Sequence, residues 1–141
     1  MKEAYKEALE AEAKNEVPVG AVIVINNTII ARAHNMTETL NDVTAHAEMI
    51  AITSAANYLG SKYLTDCKIY VTLEPCLMCA SALTWAQISE LIYSADDTKK
   101  GYTTYNFPIL HPKTKVKKGI MSMDSQEILK KFFLKKRKYA K

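Results

Sequence analysis

Two short clusters carry residues that could do chemistry: His46-Ala47-Glu48 and, thirty positions later, Pro75-Cys76-Leu77-Met78-Cys79. One imidazole and two thiolates are zinc-type ligands. Three protein ligands leave a fourth position for water, as catalytic zinc sites do and structural ones do not. The only other cysteine, Cys67, stands in an apolar, strand-like run and makes a poor fourth ligand. Zinc lowers the pKa of its bound water to about 7. Glu48 is not needed as a ligand, which leaves its carboxylate free to carry protons. Taken singly, Cys-x-x-Cys is also the form of a redox dithiol, and His-x-Glu near a helix start is often plain surface. The two in this order, with a strand between two helices, point to a catalytic metal centre.

The elements that must position these residues follow from spacing. Cys76 and Cys79 are i, i+3, so at the start of a helix both sulfurs lie on one face. Pro75 fits just before or inside that first turn, where a missing N–H costs nothing. The partial positive charge of a helix N-terminus favours the thiolate form that binds metal. His46 opens a second helix over 46–58, stopped by Gly60, so two helix ends converge on one cation. Upstream, residues 2–15 are helical, with Ala4, Ala8 and Ala11 at helical spacing, and Pro18 ends the run. Residues 19–25 and 28–33 are strands joined at the hairpin signal Asn26-Asn27. A polar loop, 35–45, leads to His46. Strands at 67–73 and 88–95 flank the helix over 76–87; residues 96–112 are loop-like and 115–120 weakly strand-like. Asp124, with Glu127 three residues on, reads as the N-cap of a basic helix running to about Lys138. Strands alternating with helices predict an α/β chain: one three-layer α/β/α domain over 1–141, around a five-stranded mixed sheet.

A chain of 141 residues can bury a real core without disulfides, and 48% apolar with 24% charged residues reads as an ordinary soluble globular protein. No apolar run approaches the roughly 20 residues of a membrane span, and Met1-Lys2-Glu3-Ala4 lacks the apolar region of a signal peptide. Three cysteines, two of them ligand candidates, suit a reducing compartment, so the expected location is cytoplasmic. Charge is uneven: residues 1–112 hold 8 Lys/Arg against 13 Asp/Glu, and residues 113–141 hold 11 against 2. A basic end of this density can bind phosphates through counterion release, and the interleaved Phe132, Phe133 and Tyr139 can stack on bases. The other reading is a solvated helix face.

The order His-x-Glu then Pro-Cys-x-x-Cys is the signature of zinc-dependent nucleobase deaminases. Further stretches are Glu16-Val17-Pro18-Val19-Gly20-Ala21, Thr44-Ala45-His46-Ala47-Glu48-Met49, Tyr70-Val71-Thr72-Leu73-Glu74-Pro75-Cys76, Met78-Cys79-Ala80, Ala95-Asp96-Asp97 and Phe132-Phe133. On these the chain resembles, over nearly its whole length, the bacterial tRNA-specific adenosine deaminases of the cytidine-deaminase-like fold. The resemblance implies one Zn2+ per chain on His46, Cys76 and Cys79, with Glu48 taking the water's proton, protonating a ring nitrogen and serving the departing ammonia. It places Asn35 against the flipped base and Val19 in the pocket wall. Asp97 and Lys99 fall in the loop that meets the neighbouring nucleotide and backbone, and Phe133 near the anticodon-loop groove. The implied partners are a tRNA anticodon stem-loop and a second copy of the chain, as a homodimer. The implied reaction is hydrolysis of adenosine to inosine at the wobble position. Bland roles exist for three of these: Val19 as core, Asn35 as a turn residue, Lys99 as a solvated cation.

Two segments depart from the family pattern. Tyr102-Thr103-Thr104-Tyr105 stands where many members have small residues and Ser, and Leu110-His111-Pro112-Lys113 replaces an Asn-His-Arg-like stretch. In the family these segments help form the RNA-binding rim, so the resemblance implies that the departures bear on substrate and leave the zinc chemistry untouched. His111 fits a loop or rim position better than a fourth ligand. The second reading is therefore a deaminase of a free base or nucleoside, guanine first and then cytosine or cytidine. Ala82-Leu83-Thr84-Trp85-Ala86 and Gly101-Tyr102 carry that likeness. A third, from another class, is a zinc-stabilised RNA-binding module without catalysis, in which Glu48 would have no use.

Overall fold

The computed structural model describes residues 1–139; Lys141 and the Tyr139 side chain, both counted in the basic tail, lie outside the described residues. Strands β1 (Gly20–Ile25) and β2 (Thr28–His34) form an antiparallel hairpin. It turns on Asn26 and Asn27 at φ 49° and 62°, a left-handed pair that asparagine tolerates. Strands β3 (Lys68–Leu73), β4 (Glu90–Ala95) and β5 (Lys115–Lys118) complete a sheet of order β2-β1-β3-β4-β5. β1 is antiparallel to both neighbours, whereas β3, β4 and β5 run parallel. The sheet is thus the five-stranded mixed one expected.

Helices α1 (Lys2–Ala13) and α4 (Ser122–Tyr139) cover one face, and α2 (Ala47–Leu59) and α3 (Leu77–Ala86) the other. Alternation along β1 decides which residue meets which layer. Ala21 and Ile23 join the core with Ala47, Ala51 and Ala55 of α2. Gly20 faces α1, whose buried stripe is the small set Ala4, Ala8 and Ala11. The helix backbone comes so near that a Cβ on Gly20 would overlap the Ala4 carbonyl and the Ala8 amide.

The layers bring the chemistry to one edge. Parallel β3 and β4 end side by side at Leu73 and Ala95, and α2 and α3 begin above them; ligands of α/β sheets bind outside such carboxyl ends. The loop after β4 is not wholly irregular. It contains a 3-10 turn, Tyr102–Thr104, tied to the α3 approach by the Tyr102 amide donating to Pro75 O at 2.9 Å.

One cap expectation is corrected. Helix α4 begins at Ser122, so Asp124 lies inside the first turn and is not its N-cap. Gly119 and Met121, at φ 100° and 59°, redirect the chain before Asp124 is reached. Its carboxylate still suits the positive helix end.

A methyl at Gly20 cannot be absorbed by a flexible side chain, because backbone atoms stand in its place. Gly20→Ala is expected to lower unfolding stability by about 1–3 kcal/mol or more in chemical denaturation. An unchanged midpoint would mean that α1 does not pack this closely.

Candidate active site

His46 and Cys76 each occupy the residue before a helix, with extended backbone at φ −70°, ψ 153° and φ −72°, ψ 175°. Neither side chain caps its own helix. They turn instead to each other and to Cys79, one turn into α3. His46 Nδ1 lies 3.7 Å from Cys76 Sγ and 3.5 Å from Cys79 Sγ. Among the described residues this is the one group of three such side chains within metal-binding reach.

The spacing tests whether zinc fits. Zn–S and Zn–N bonds of about 2.3 and 2.0–2.1 Å at tetrahedral angles place a sulfur and a nitrogen ligand about 3.6 Å apart. The observed pairs bracket that separation, and the two-sulfur, one-nitrogen donor set is that of zinc. The thiols already share their protons unequally. A hydrogen bond from Cys79, against burial and helped by His46, brings Cys76 down to about 4, while the same bond and burial push Cys79 up. Cys67 is fully buried elsewhere in the core, and burial raises it. His111 takes a hydrogen bond from the Lys113 amide at 3.1 Å and belongs to its own loop.

Beside the ligands lies a cavity of about 190 Å³, lined by Val17, Val19, Asn35, Thr37, His46, Glu48, Leu73, Cys76, Asp97 and Lys100 among others. That is small against the roughly 300–1,000 Å³ of drug-sized ligand pockets, so it suits one flat ring system. Glu48, in the first turn of α2, is buried here, and burial raises its carboxyl to about 7. A group poised near neutrality can both take and give a proton.

Of the residues singled out in the sequence, Val19, Asn35 and Asp97 therefore share the cavity with His46, Glu48 and Cys76. Lys99 does not line it, whereas its neighbour Lys100 does; both are exposed. Phe133 is remote from the lining, half-exposed on α4, edge-to-face with Phe132 at 5.3 Å.

Sequence reasoning missed two buried carboxylates that hold the cavity's loops. Glu74 Oε1 accepts from the Asp97 amide at 3.0 Å, and Oε2 from the Thr103 amide and hydroxyl at 3.0 and 2.8 Å. Asp97 then accepts from the amides of Lys99 and Lys100. A side chain at Gly101 would collide with the Glu74 carboxylate, so this glycine is needed for room. Glu16 does the same for the 35–39 turn. For Glu74 a signal was available, an acidic residue between an apolar strand and Pro75; Glu16, after Lys14-Asn15 and two residues before Pro18, carried none.

A second, larger groove of about 840 Å³ lies away from these residues, between α1 and α4, lined by Glu12, Asn15, Lys131, Phe132, Lys135 and Lys136 among others. It holds no ligand cluster. The His46, Cys76 and Cys79 cluster borders the smaller cavity.

Residues 1–95 match the family model of the cytidine and deoxycytidylate deaminase zinc-binding region. The tRNA-specific adenosine deaminase of Aquifex aeolicus (strain VF5) is 47% identical over 97% of this chain and 93% of that one. A structure solved in work on A-to-I editing by tRNA:A34 deaminases at the wobble position is 43% identical, with a TM-score of 0.86, over 92% of this chain and 97% of that one. Bacillus subtilis guanine deaminase is 44% identical, with a TM-score of 0.67, over 69% of this chain and 62% of its own.

Metal analysis is expected to find one zinc per chain, and Cys76→Ala or Cys79→Ala to lose most of it. Zinc retained by both variants would remove the two thiolates from the ligand set.

Proposed function

Because the chain belongs to the tRNA-specific adenosine deaminases, within the cytidine and deoxycytidylate deaminase zinc-binding family, we propose that it converts the wobble adenosine of a tRNA anticodon to inosine, with Glu48 moving the protons. The observation that carries this reading is a buried carboxylate beside a three-ligand zinc cluster, in a cavity sized for one base. When bound, the zinc on His46, Cys76 and Cys79 supplies the Lewis acidity that brings a water's pKa near neutrality. Water adds at C6 of adenine: Glu48 takes one water proton and hands it to ring N1, then relays the remaining hydroxyl proton to the C6 amino group, whose C–N bond breaks to release ammonia and leave the C6 carbonyl. Val19 and Leu73 give the base apolar walls. Asn35 and Asp97 supply polar contacts, and exposed Lys99, two residues beyond Asp97, is available to the RNA backbone. An anticodon loop presents its bases unstacked, which lowers the cost of drawing one into so narrow a cavity.

The basic helix α4 and its groove extend the surface available to RNA. Lys135, Lys136 and Arg137 are exposed there beside half-exposed Phe133. A second copy of the chain is the partner we assign to the α2–α3 side, where Trp85 is 82% and Tyr58 66% exposed. Among the described residues no helix is long and apolar enough to cross a membrane, and a tRNA substrate puts the work of this one 1–141 deaminase domain in the cytoplasm. The guanine reading rests on a likeness over a shorter part of the chain and leaves the basic helix without a task.

The direct test is an anticodon stem-loop carrying wobble adenosine, with guanine and cytidine in parallel. Inosine formation is expected; turnover of guanine with an inert stem-loop would reverse the assignment. Glu48→Ala is expected to keep its zinc and lose activity by about 10²-fold or more. Loss of metal on that substitution would make the carboxylate a ligand. Neutralising Lys135, Lys136 and Arg137 should weaken stem-loop binding and flatten its log–log salt slope by roughly 0.7–0.9 for each phosphate left without its cation. An unaltered slope would leave α4 a solvated face.

A further inference from the structure

Glu16 is fully buried between α1 and β1, and every partner it has is a hydrogen-bond donor. Its Oε2 accepts from the Thr39 amide and hydroxyl, both at 2.6 Å. Its Oε1 accepts from the Glu38 amide at 3.1 Å and from Asn35 Nδ2 at 3.3 Å. Burial pushes the carboxyl up, but the bonds from Thr39 and Glu38 outweigh it and hold the group below its ordinary value. Glu16 is therefore ionised at neutral pH.

An ionised carboxylate accepts and cannot donate. Of the two ends of the Asn35 amide, only the nitrogen can face it. The second proton of that nitrogen goes to Thr37 Oγ1 at 3.3 Å. Both protons are then committed to protein, and Asn35 lines the cavity beside His46 and Glu48. Oδ1 is the polar atom left for a ligand.

We propose that Glu16 is a positioning residue that fixes the sense of the Asn35 amide, so that this wall of the cavity offers a bound nucleoside a hydrogen-bond acceptor. The matching ligand group is an N–H or O–H donor, such as an amino group or a ribose hydroxyl; a bare ring nitrogen is refused there. A neutral amide at position 16 has both donors and an acceptor, can pair with either end of Asn35, and no longer dictates its sense.

The kinetic part of the test rests on the deaminase reading; a second part does not. Wild type, Glu16→Gln, Asn35→Ala and the double variant, all with zinc content checked, are compared on the adenosine stem-loop. Glu16→Gln is expected to raise KM and lower kcat/KM by about tenfold, the scale of a misdirected polar contact. In the Asn35→Ala background the same change should alter kcat/KM by less than about twofold, because residues acting through one another are not additive. Equal losses in both backgrounds, or wild-type kinetics in Glu16→Gln, would overturn the proposal. Should Glu16→Gln not fold, Thr37→Val removes the other partner of the same nitrogen and must show a smaller loss that also vanishes beside Asn35→Ala. Independently of turnover, the Asn35 side-chain amide protons should be protected from solvent exchange in wild type. Unprotected protons would refute the clamp even in an active enzyme.

Discussion

Helices α2 and α3 begin at the same place, and each begins with a residue whose side chain has left its helix to face the other. Two helix N-termini set together concentrate partial positive charge, and a divalent cation between them adds to it. The arrangement holds because the same few residues carry the opposing charge: two sulfurs that give up protons to bind metal, and Glu48 in the first turn of α2. Electrostatic balance, not burial of apolar area, decides what can stand at positions 46, 48, 76 and 79. The rest of the fold serves to bring those two helix starts over the ends of β3 and β4.

Two buried carboxylates complete the surroundings in a matched way. Glu16 and Glu74 each sit at the approach to a proline, one before β1 and one after β3, and each gathers the amides of a loop that lines the cavity. Buried charges are tolerable when their oxygens are satisfied, and here backbone N–H groups satisfy them. Loops that would otherwise be free to move are thus held from inside.

Much of this is legible in the sequence. Helical spacing marks α1, whose Ala4, Ala8 and Ala11 are buried, apolar β-branched runs mark β1, β3 and β4, and Asn26-Asn27 announces the hairpin, whereas β5, exposed throughout, reads only weakly. Residue type and spacing mark the zinc ligands and Glu48, since few donor sets at i, i+3 beside a distant His-x-Glu have another purpose. What stays hidden is tertiary. Asp124 looks like a cap, yet left-handed Gly119 and Met121 start α4 earlier. Lys99 and Lys100 are indistinguishable in sequence, and only the Asp97 turn decides that Lys100 lines the cavity. Glu16 and Glu74 look like family signature and nothing more, because their partners lie about twenty to thirty residues along the chain and include backbone amides that carry no residue identity.

The Glu74 anchor has a consequence for how such a protein can change. It holds the 96–104 loop at two points, the Asp97 amide and Thr103, with Gly101 making room between them. Neither hold asks anything of the residues beyond Thr103, among them Thr104-Tyr105 and Leu110-His111-Pro112-Lys113, where this chain departs from the family pattern. That rim behaves as an exchangeable cassette: its contacts with a substrate can be rewritten through drift or design while the hydrolytic machinery beneath keeps its geometry.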